Sequence, residues 1–159
     1  MPDTGADVVE RTCGFLRGVG KDPVVIDREV DGFIGNRLQF ALLREAWALW
    51  AGGVASAAAI DAVVRQSIGR RLGVTGPLES ADLGGIQTMV SFARFLLPTL
   101  DVSGQPPERV AALASSHAEK GVEGVRGFDA RAAADLLQAR RNELFRWLLE
   151  RPTPTKLDV

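Results

Sequence analysis

The segment Asp31-Gly32-Phe33-Ile34-Gly35-Asn36-Arg37-Leu38-Gln39 continues without a break into Phe40-Ala41-Leu42-Leu43-Arg44-Glu45-Ala46-Trp47. Apolar residues share a face with Asn36 at helical spacing, and they are Phe40, Leu43, Trp47 and Trp50. Three further leucines, Leu38, Leu42 and Leu49, lie on the opposite side. A helix that is apolar on two sides is predicted to be buried on both. We therefore expect this helix at the centre of a helical domain or of a dimer.

Asn36 places one uncharged polar side chain on this apolar face. A buried amide without hydrogen bonds costs about 1–3 kcal/mol. Asn36 is therefore predicted to be either a satisfied core amide or a group that binds a ligand.

Length and charge limit the classes of protein to consider. The 159 residues suit one domain, or one domain with an appended element. The 19 Lys and Arg nearly balance the 20 Asp and Glu, so no nucleic-acid partner is indicated. The apolar runs are shorter than the roughly 20 residues of a membrane span, and residues 1–12 carry charges where a signal peptide would be apolar. We expect a cytoplasmic protein with no membrane partner.

Two residues with reactive side chains were considered as catalytic groups. Cys13 is the single cysteine, so it forms no internal disulfide, and a helix-packing role is favoured over a nucleophile. His117 lies in a polar helix without a Ser, Cys or carboxylate placed to partner it, so an exposed residue is favoured. No spacing of His, Cys and carboxylates indicates a metal site.

The remaining pattern is helical, with one exception. Helices are predicted over residues 3–18, 57–68, 78–83, 86–97 and 107–120, and after Asp129, with Ser56 and Asp129 as N-caps. The segment Gly69 to Pro77 is predicted as a loop. Pro23-Val24-Val25-Ile26 is the one convincing strand, which we expect to dock on a sheet from elsewhere or to pair with its copy in a dimer.

Candidate anion-binding residues occur in the middle of the chain. Gly69-Arg70-Arg71 offers guanidinium groups beside a glycine turn, which suit a phosphate or carboxylate, although a role in capping neighbouring helices is at least as well supported. Glu79 and Asp82 fit the preference of acidic residues for the start of a helix. Neither a dinucleotide fingerprint nor a Walker loop is present.

Six separated blocks of sequence, in order and at matching gaps, resemble the C-terminal half of the 3-hydroxyacyl-CoA dehydrogenase family. The blocks are Gly20-Lys21-Asp22-Pro23-Val24-Val25, Gly32-Phe33-Ile34-Gly35-Asn36-Arg37-Leu38, Leu43-Arg44-Glu45-Ala46, Gly53-Val54-Ala55-Ser56, Ile60-Asp61 and Gly76-Pro77-Leu78-Glu79. The resemblance implies an all-α, multi-helix domain like the C-terminal domains of 3-hydroxyacyl-CoA and 6-phosphogluconate dehydrogenases, preceded by one helix and one short strand. Residues 1–29 would then be the end of a Rossmann domain, 30–150 the helical domain and 151–159 a flexible tail.

The resemblance also implies roles for particular residues. Asn36 matches the family's active-site Asn, whose amide is expected to hydrogen-bond the 3-oxygen of the substrate. The family's catalytic His and Glu, and its NAD-binding Rossmann domain, are expected upstream of Met1. We expect substrate contacts from five residues, which are Arg70, Arg71, Gly76, Pro77 and Glu79. The family's Gly-Lys-x-Ser/Thr-Gly-x-Gly-Phe-Tyr signature corresponds to residues 121–129, where its Lys and Tyr are replaced.

Three functions follow from these observations. The first is the substrate-binding and dimerisation domain of an NAD-dependent 3-hydroxyacyl-CoA dehydrogenase of fatty-acid metabolism, unable to transfer a hydride alone, with an acyl-CoA-type ligand, a homodimeric state and a possible separate Rossmann subunit. The second is a free-standing helical interaction or ligand-binding protein. The third is a non-redox enzyme in which Asn36 polarises a 3-oxo or 3-hydroxy acyl group. The chain itself is expected to bind no cofactor and no metal.

Overall fold

A computed structural model describes residues 4–120 and 124–150, with the side chains of 116–120 outside the description. Within these ranges the chain is all-α, as predicted. The helices are α1 (Ala6–Gly18), α2 (Phe33–Ala51), α3 (Ala57–Gln66), α4 (Ile68–Leu72), α5 (Pro77–Leu83), α6 (Ile86–Leu96), α7 (Glu108–Lys120) and α8 (Ala130–Glu150), with a 3-10 turn at Leu97–Thr99. No described helix is both long and apolar enough to cross a membrane.

The predicted strand at Pro23–Ile26 is the main error in the secondary structure. Residues 21–26 have no regular secondary structure, and no described residue forms a β-ladder with them. Val24 is consequently 82% exposed. A β-branched run forms a strand only when a neighbouring strand satisfies its backbone groups, and the described part of the chain supplies none.

The predicted loop from Gly69 is also partly wrong, because α4 occupies its first half. The chain turns sharply at Ser67, whose N–H donates to the carbonyl of Val63 at 2.9 Å. Gly69 then lies so close to α3 that a Cβ atom would sit 2.9 Å from the Val64 carbonyl oxygen. The glycine therefore allows a second helix to begin immediately after the first, where the sequence had indicated a turn.

Two predicted helix starts are confirmed by their hydrogen bonds. The Ser56 hydroxyl oxygen accepts from the Ala59 N–H at 3.2 Å at the start of α3. The Asp129 carboxylate accepts from the Ala132 N–H at 2.7 Å at the start of α8. Each side chain satisfies one of the N–H groups that the first turn of a helix leaves without a partner.

The two-sided burial predicted for α2 is wrong for the single chain. Residues in its second half, such as Trp47 and Trp50, are half-buried. In its first half Phe40 is 58% exposed, and Leu38 and Leu42 are exposed as well. Among the described residues the one buried apolar side chain is Cys13, on α1, as its predicted packing role requires. The pattern of α2 was therefore correct as a sign of apolar faces, but nothing in the described chain covers them.

By its internal contacts the chain divides into two compact units, residues 1–43 and residues 44–159. Asn36 belongs to the first unit, and the predicted substrate-contact residues from Arg70 to Glu79 belong to the second. The proposed tail at 151–159 lies outside the described residues.

Replacing the hydroxyl of Ser56 tests the helix cap. Ser56→Ala is expected to lower the free energy of unfolding by about 1 kcal/mol, because the Ala59 N–H loses its acceptor. Urea denaturation followed by circular dichroism measures the change. The matched control is Ser67→Ala, since Ser67 precedes α4 without a side-chain cap. Equal losses in the two variants would contradict the capping role.

Candidate functional site

Asn36 is the fourth residue of α2, in the first turn of the helix. Its side chain is exposed, and its amide makes no hydrogen bond with any other described residue. Of the two alternatives left open by the sequence, the satisfied core amide therefore does not apply to this chain. The amide is free to donate to, or accept from, a molecule that approaches the start of α2.

A strained turn fixes where α2 begins. Gly32 has φ 77°, and Phe33, which follows it, has φ 51°. The left-handed region costs a non-glycine residue about 1–2 kcal/mol. The Phe33 N–H donates to the Val30 carbonyl at 3.0 Å, and the Arg37 guanidinium donates to the Asp31 carbonyl at 3.4 Å. These bonds hold the turn and so set the position of Asn36.

The predicted substrate-contact residues lie at the end of α4, at the start of α5 and in the turn that joins these helices. Arg70 and Arg71 are exposed in the last turn of α4, where a positive charge interacts favourably with the helix dipole. The carbonyl of Arg71 accepts the N–H groups of Val74 and Thr75, both at 2.8 Å. The backbone of Arg71 thus closes the turn, and neither guanidinium group forms an ion pair with a described carboxylate.

Gly76, Pro77 and Glu79 form the start of α5. The Glu79 carboxylate accepts the Gly76 N–H at 2.6 Å, and Pro77 occupies the first helical position. The hydroxyls of Thr75 and Ser80 lie 2.8 Å apart across the same turn. Glu79 therefore has the helix-start role that the sequence also allowed. Gly76, Pro77 and Glu79 lie together at the start of α5, whereas Arg70 and Arg71 lie at the end of α4.

A second polar cluster tethers the loop after α6. Glu45 on α2 accepts the backbone N–H of Asp101 at 2.8 Å, and the Arg44 guanidinium lies 4.0 Å from the Asp101 carboxylate. The Ser103 hydroxyl donates to the same carboxylate at 2.7 Å. This hydrogen bond, with a smaller contribution from the charge of Arg44, holds the pKa of Asp101 below its usual value.

An open pocket of about 540 Å³ lies at the start of α3, bounded by the end of α2, the first turn of α3, the start of α7 and the segment before α8. Arg109 on α7 stacks its guanidinium 4.0 Å from the centre of the Trp50 ring and donates to the Trp50 carbonyl at 3.4 Å. Arg126 lies on the other side of the pocket, with its guanidinium 3.2 Å from the Asp61 carboxylate and 5.2 Å from the centre of the Phe128 ring.

Sequence reasoning missed both clusters as sites. Arg109 and Trp50 are 59 residues apart in sequence, and Asp101 and Glu45 are 56 apart. The spacing of residues along the sequence does not predict such pairs, because they form only when separate elements come together. Asp61 lies in one of the six blocks that resemble the family, but its partner Arg126 lies in the part of the family signature where this chain departs from the usual residues.

Neither a metal-binding group nor His117 contributes to the sites described above. Among the described residues no group of three or more His, Cys, Asp or Glu is arranged to hold a metal ion. The side chain of His117 lies outside the description, as do residues 121–123 of the late glycine-rich segment.

Comparisons with known proteins identify the class of this all-α domain. The family model for the 3-hydroxyacyl-CoA dehydrogenase C-terminal domain matches residues 32–129. The chain therefore belongs to the 3-hydroxyacyl-CoA dehydrogenase C-terminal domain family. This confirms the resemblance read from the six blocks of sequence.

Individual relatives agree with the family. Lambda-crystallin of Oryctolagus cuniculus is 38% identical over 91 residues, covering 57% of this chain and 28% of that protein. A 3-hydroxyacyl-CoA dehydrogenase of Gibberella moniliformis is 42% identical over 84 residues, covering 53% of this chain and 26% of that protein. The chain thus spans little more than a quarter of the length of these relatives.

A solved structure supports the fold over nearly the whole chain. The crystal structure of 5-formyl-3-hydroxy-2-methylpyridine 4-carboxylic acid 5-dehydrogenase, described as an NAD+-dependent dismutase, superposes with a TM-score of 0.83 at 29% identity. The match covers 94% of this chain and 50% of that one.

Removing the Ser103 hydroxyl tests the electrostatics of the α6 loop. Ser103→Ala is expected to raise the pKa of Asp101 towards 3.8, because the carboxylate loses its strongest hydrogen bond. A lowered folded-state pKa stabilises the fold above the unfolded-state pKa, and this contribution disappears as the pH falls through the folded value. The variant should therefore lose less stability on acidification.

An NMR titration of the Asp101 carboxyl carbon measures this pKa directly. Ser91→Ala is the control, since the Ser91 hydroxyl donates to the Gln87 carbonyl on α6 and should leave Asp101 unchanged. An Asp101 pKa that stays the same in Ser103→Ala would refute the assignment.

Proposed function

We propose that this chain is the substrate-binding and dimerisation domain of an NAD-dependent 3-hydroxyacyl-CoA dehydrogenase of fatty-acid metabolism. The observation that carries the proposal is Asn36, an exposed amide with no hydrogen bond to another described residue, within the region that the family model matches. The relative from Gibberella moniliformis is named a 3-hydroxyacyl-CoA dehydrogenase, which supports a 3-hydroxyacyl-CoA as the substrate class.

The chemistry of an amide defines what Asn36 can contribute. Its NH₂ group donates a hydrogen bond to the 3-oxygen of an acyl-CoA and so orients and polarises that oxygen. An amide neither accepts the hydroxyl proton nor accepts a hydride, so Asn36 is a binding and polarising group rather than the base. Because the amide is neutral, this role does not depend on pH.

NAD is the hydride acceptor in the proposed reaction, and a separate Rossmann domain or subunit would hold it. The sequence of this chain contains no glycine-rich dinucleotide fingerprint. We therefore assign to this chain the orientation of the acyl group alone. Arg70 and Arg71, with free guanidinium groups at one turn, are proposed to contact the acyl-CoA through its anionic groups.

Dimerisation is proposed from the apolar faces that the single chain leaves open. Helix α8 is 21 residues long, and its exposed side chains form an apolar groove of about 440 Å³. The groove is lined by Leu137, Arg140, Arg141, Leu144, Phe145 and Leu148. Full burial of one leucine or phenylalanine stabilises by about 1.5–3 kcal/mol, which favours covering such a face with a second copy.

Truncation of Asn36 tests the proposed binding role. Calorimetric titration with acetoacetyl-CoA is expected to show affinity about tenfold lower in Asn36→Ala, because one hydrogen bond to the 3-oxygen is lost. The matched control is Gln39→Ala, which removes another exposed amide from the same helix and should leave affinity unchanged. Equal affinity in the wild-type chain and Asn36→Ala, or no binding by the wild type, would contradict the proposed function.

A further inference from the structure

The pocket at the start of α3 contains more positive charge than the described residues around it neutralise. Two guanidinium groups, those of Arg109 and Arg126, line it. Within the described residues one carboxylate, that of Asp61, forms an ion pair with either of them, at 3.2 Å from Arg126. Arg109 instead stacks on the Trp50 ring, which attracts a cation but does not cancel its charge.

The hydrogen-bonding capacity of the two arginines is also incompletely used. The Nη1 atom of Arg126 is buried, and although it lies near Asp61 it makes no hydrogen bond in the described structure. Arg109 makes one long hydrogen bond, 3.4 Å to the Trp50 carbonyl, out of the five N–H donors that a guanidinium carries. An oxygen supplied by a ligand and aligned with these N–H groups would complete their hydrogen bonding.

The first turn of α3 adds donors on a third side of the same pocket. Ser56, Ala57 and Ala58 line it. The Ser56 hydroxyl is already bound to the Ala59 N–H, whereas the N–H groups of Ala57 and Ala58 have no acceptor within their own helix. The helix dipole places partial positive charge at this end, which strengthens the attraction for an anion that the two arginines create.

We propose that this pocket binds a phosphate group of a small molecule. A phosphate offers three equivalent oxygens to donors on different sides and carries up to two negative charges, whereas a carboxylate presents two oxygens in one plane. The pocket volume of about 540 Å³ leaves room for more than the phosphate itself. None of Asn36, Arg70 and Arg71 lines the pocket, so this inference stands independently of the proposed function.

Inorganic pyrophosphate is the probe that tests the site in the full 159-residue chain. Isothermal titration calorimetry should detect pyrophosphate binding that weakens with added salt. Arg109→Gln is expected to reduce the affinity about tenfold, because it removes a charge-assisted contact. Arg65→Gln is the matched control, with the same loss of charge in the last turn of α3, away from the pocket.

A second pair of variants keeps the test decisive if Arg109→Gln fails to fold. Ala58→Asp places a negative charge in the pocket, where it repels phosphate while favouring the helix start, so the fold should persist. Ala58→Asn has nearly the same size without the charge. We expect Ala58→Asp to abolish pyrophosphate binding and Ala58→Asn to retain it.

Comparison of coenzyme A with dephospho-coenzyme A then identifies the source of the phosphate. If the wild-type chain binds dephospho-coenzyme A more weakly than coenzyme A, and Ala58→Asp removes this difference, the pocket is assigned to the 3′-phosphate of the coenzyme. Equal binding that Ala58→Asp abolishes assigns it to the pyrophosphate. The proposal is overturned if the folded wild-type chain does not bind pyrophosphate at millimolar concentration. It is equally overturned if Ala58→Asp and Ala58→Asn bind pyrophosphate with the same affinity.

Discussion

An amphipathic helix is stable in a protein only while its apolar face is covered, since helix propensity alone rarely maintains a helix of this length in water. Most of the structure depends on this constraint. Helix α2 exposes Leu38, Phe40 and Leu42, and α8 exposes Leu137 and Leu144. The described chain leaves these apolar side chains exposed. For this reason the proposed function includes a second copy that covers them.

Polar contacts define the geometry within the second unit. The Ser56 cap starts α3, Glu79 starts α5, and the contact from Glu45 to the backbone of Asp101 ties α2 to the loop after α6. Each hydrogen bond contributes about 1 kcal/mol, so none of them replaces an apolar core. They determine where helices begin and where loops attach, while apolar burial determines whether the helices persist.

The helices and their caps were predictable because their signals are local. Ser56 and Asp129 precede apolar periodicity and cap the expected helices. The strand at Pro23–Ile26 failed because strand formation depends on a partner that the local pattern does not encode. Helix α4 was missed because the turn at Ser67 places Gly69 against the Val64 carbonyl, a backbone geometry that the residue pattern does not indicate.

The role of Asn36 in a site stays a prediction from the sequence. Asn36 was singled out as an amide on an apolar face, and the structure leaves it exposed within the region that the family model matches. The pocket at the start of α3 was not foreseen, since Arg109 and Arg126, which line it, come from α7 and from the segment before α8. The sequence contains both arginines, but it does not predict that they line the same pocket.

The central claim is that the apolar faces of α2 and α8 are completed by a second copy of this chain. Light scattering after size-exclusion chromatography, over a range of chain concentrations, measures the mass in solution directly. The account predicts a mass of twice 17.0 kDa that falls only on strong dilution. A mass of 17.0 kDa at every concentration, with the helices retained by circular dichroism, would contradict it.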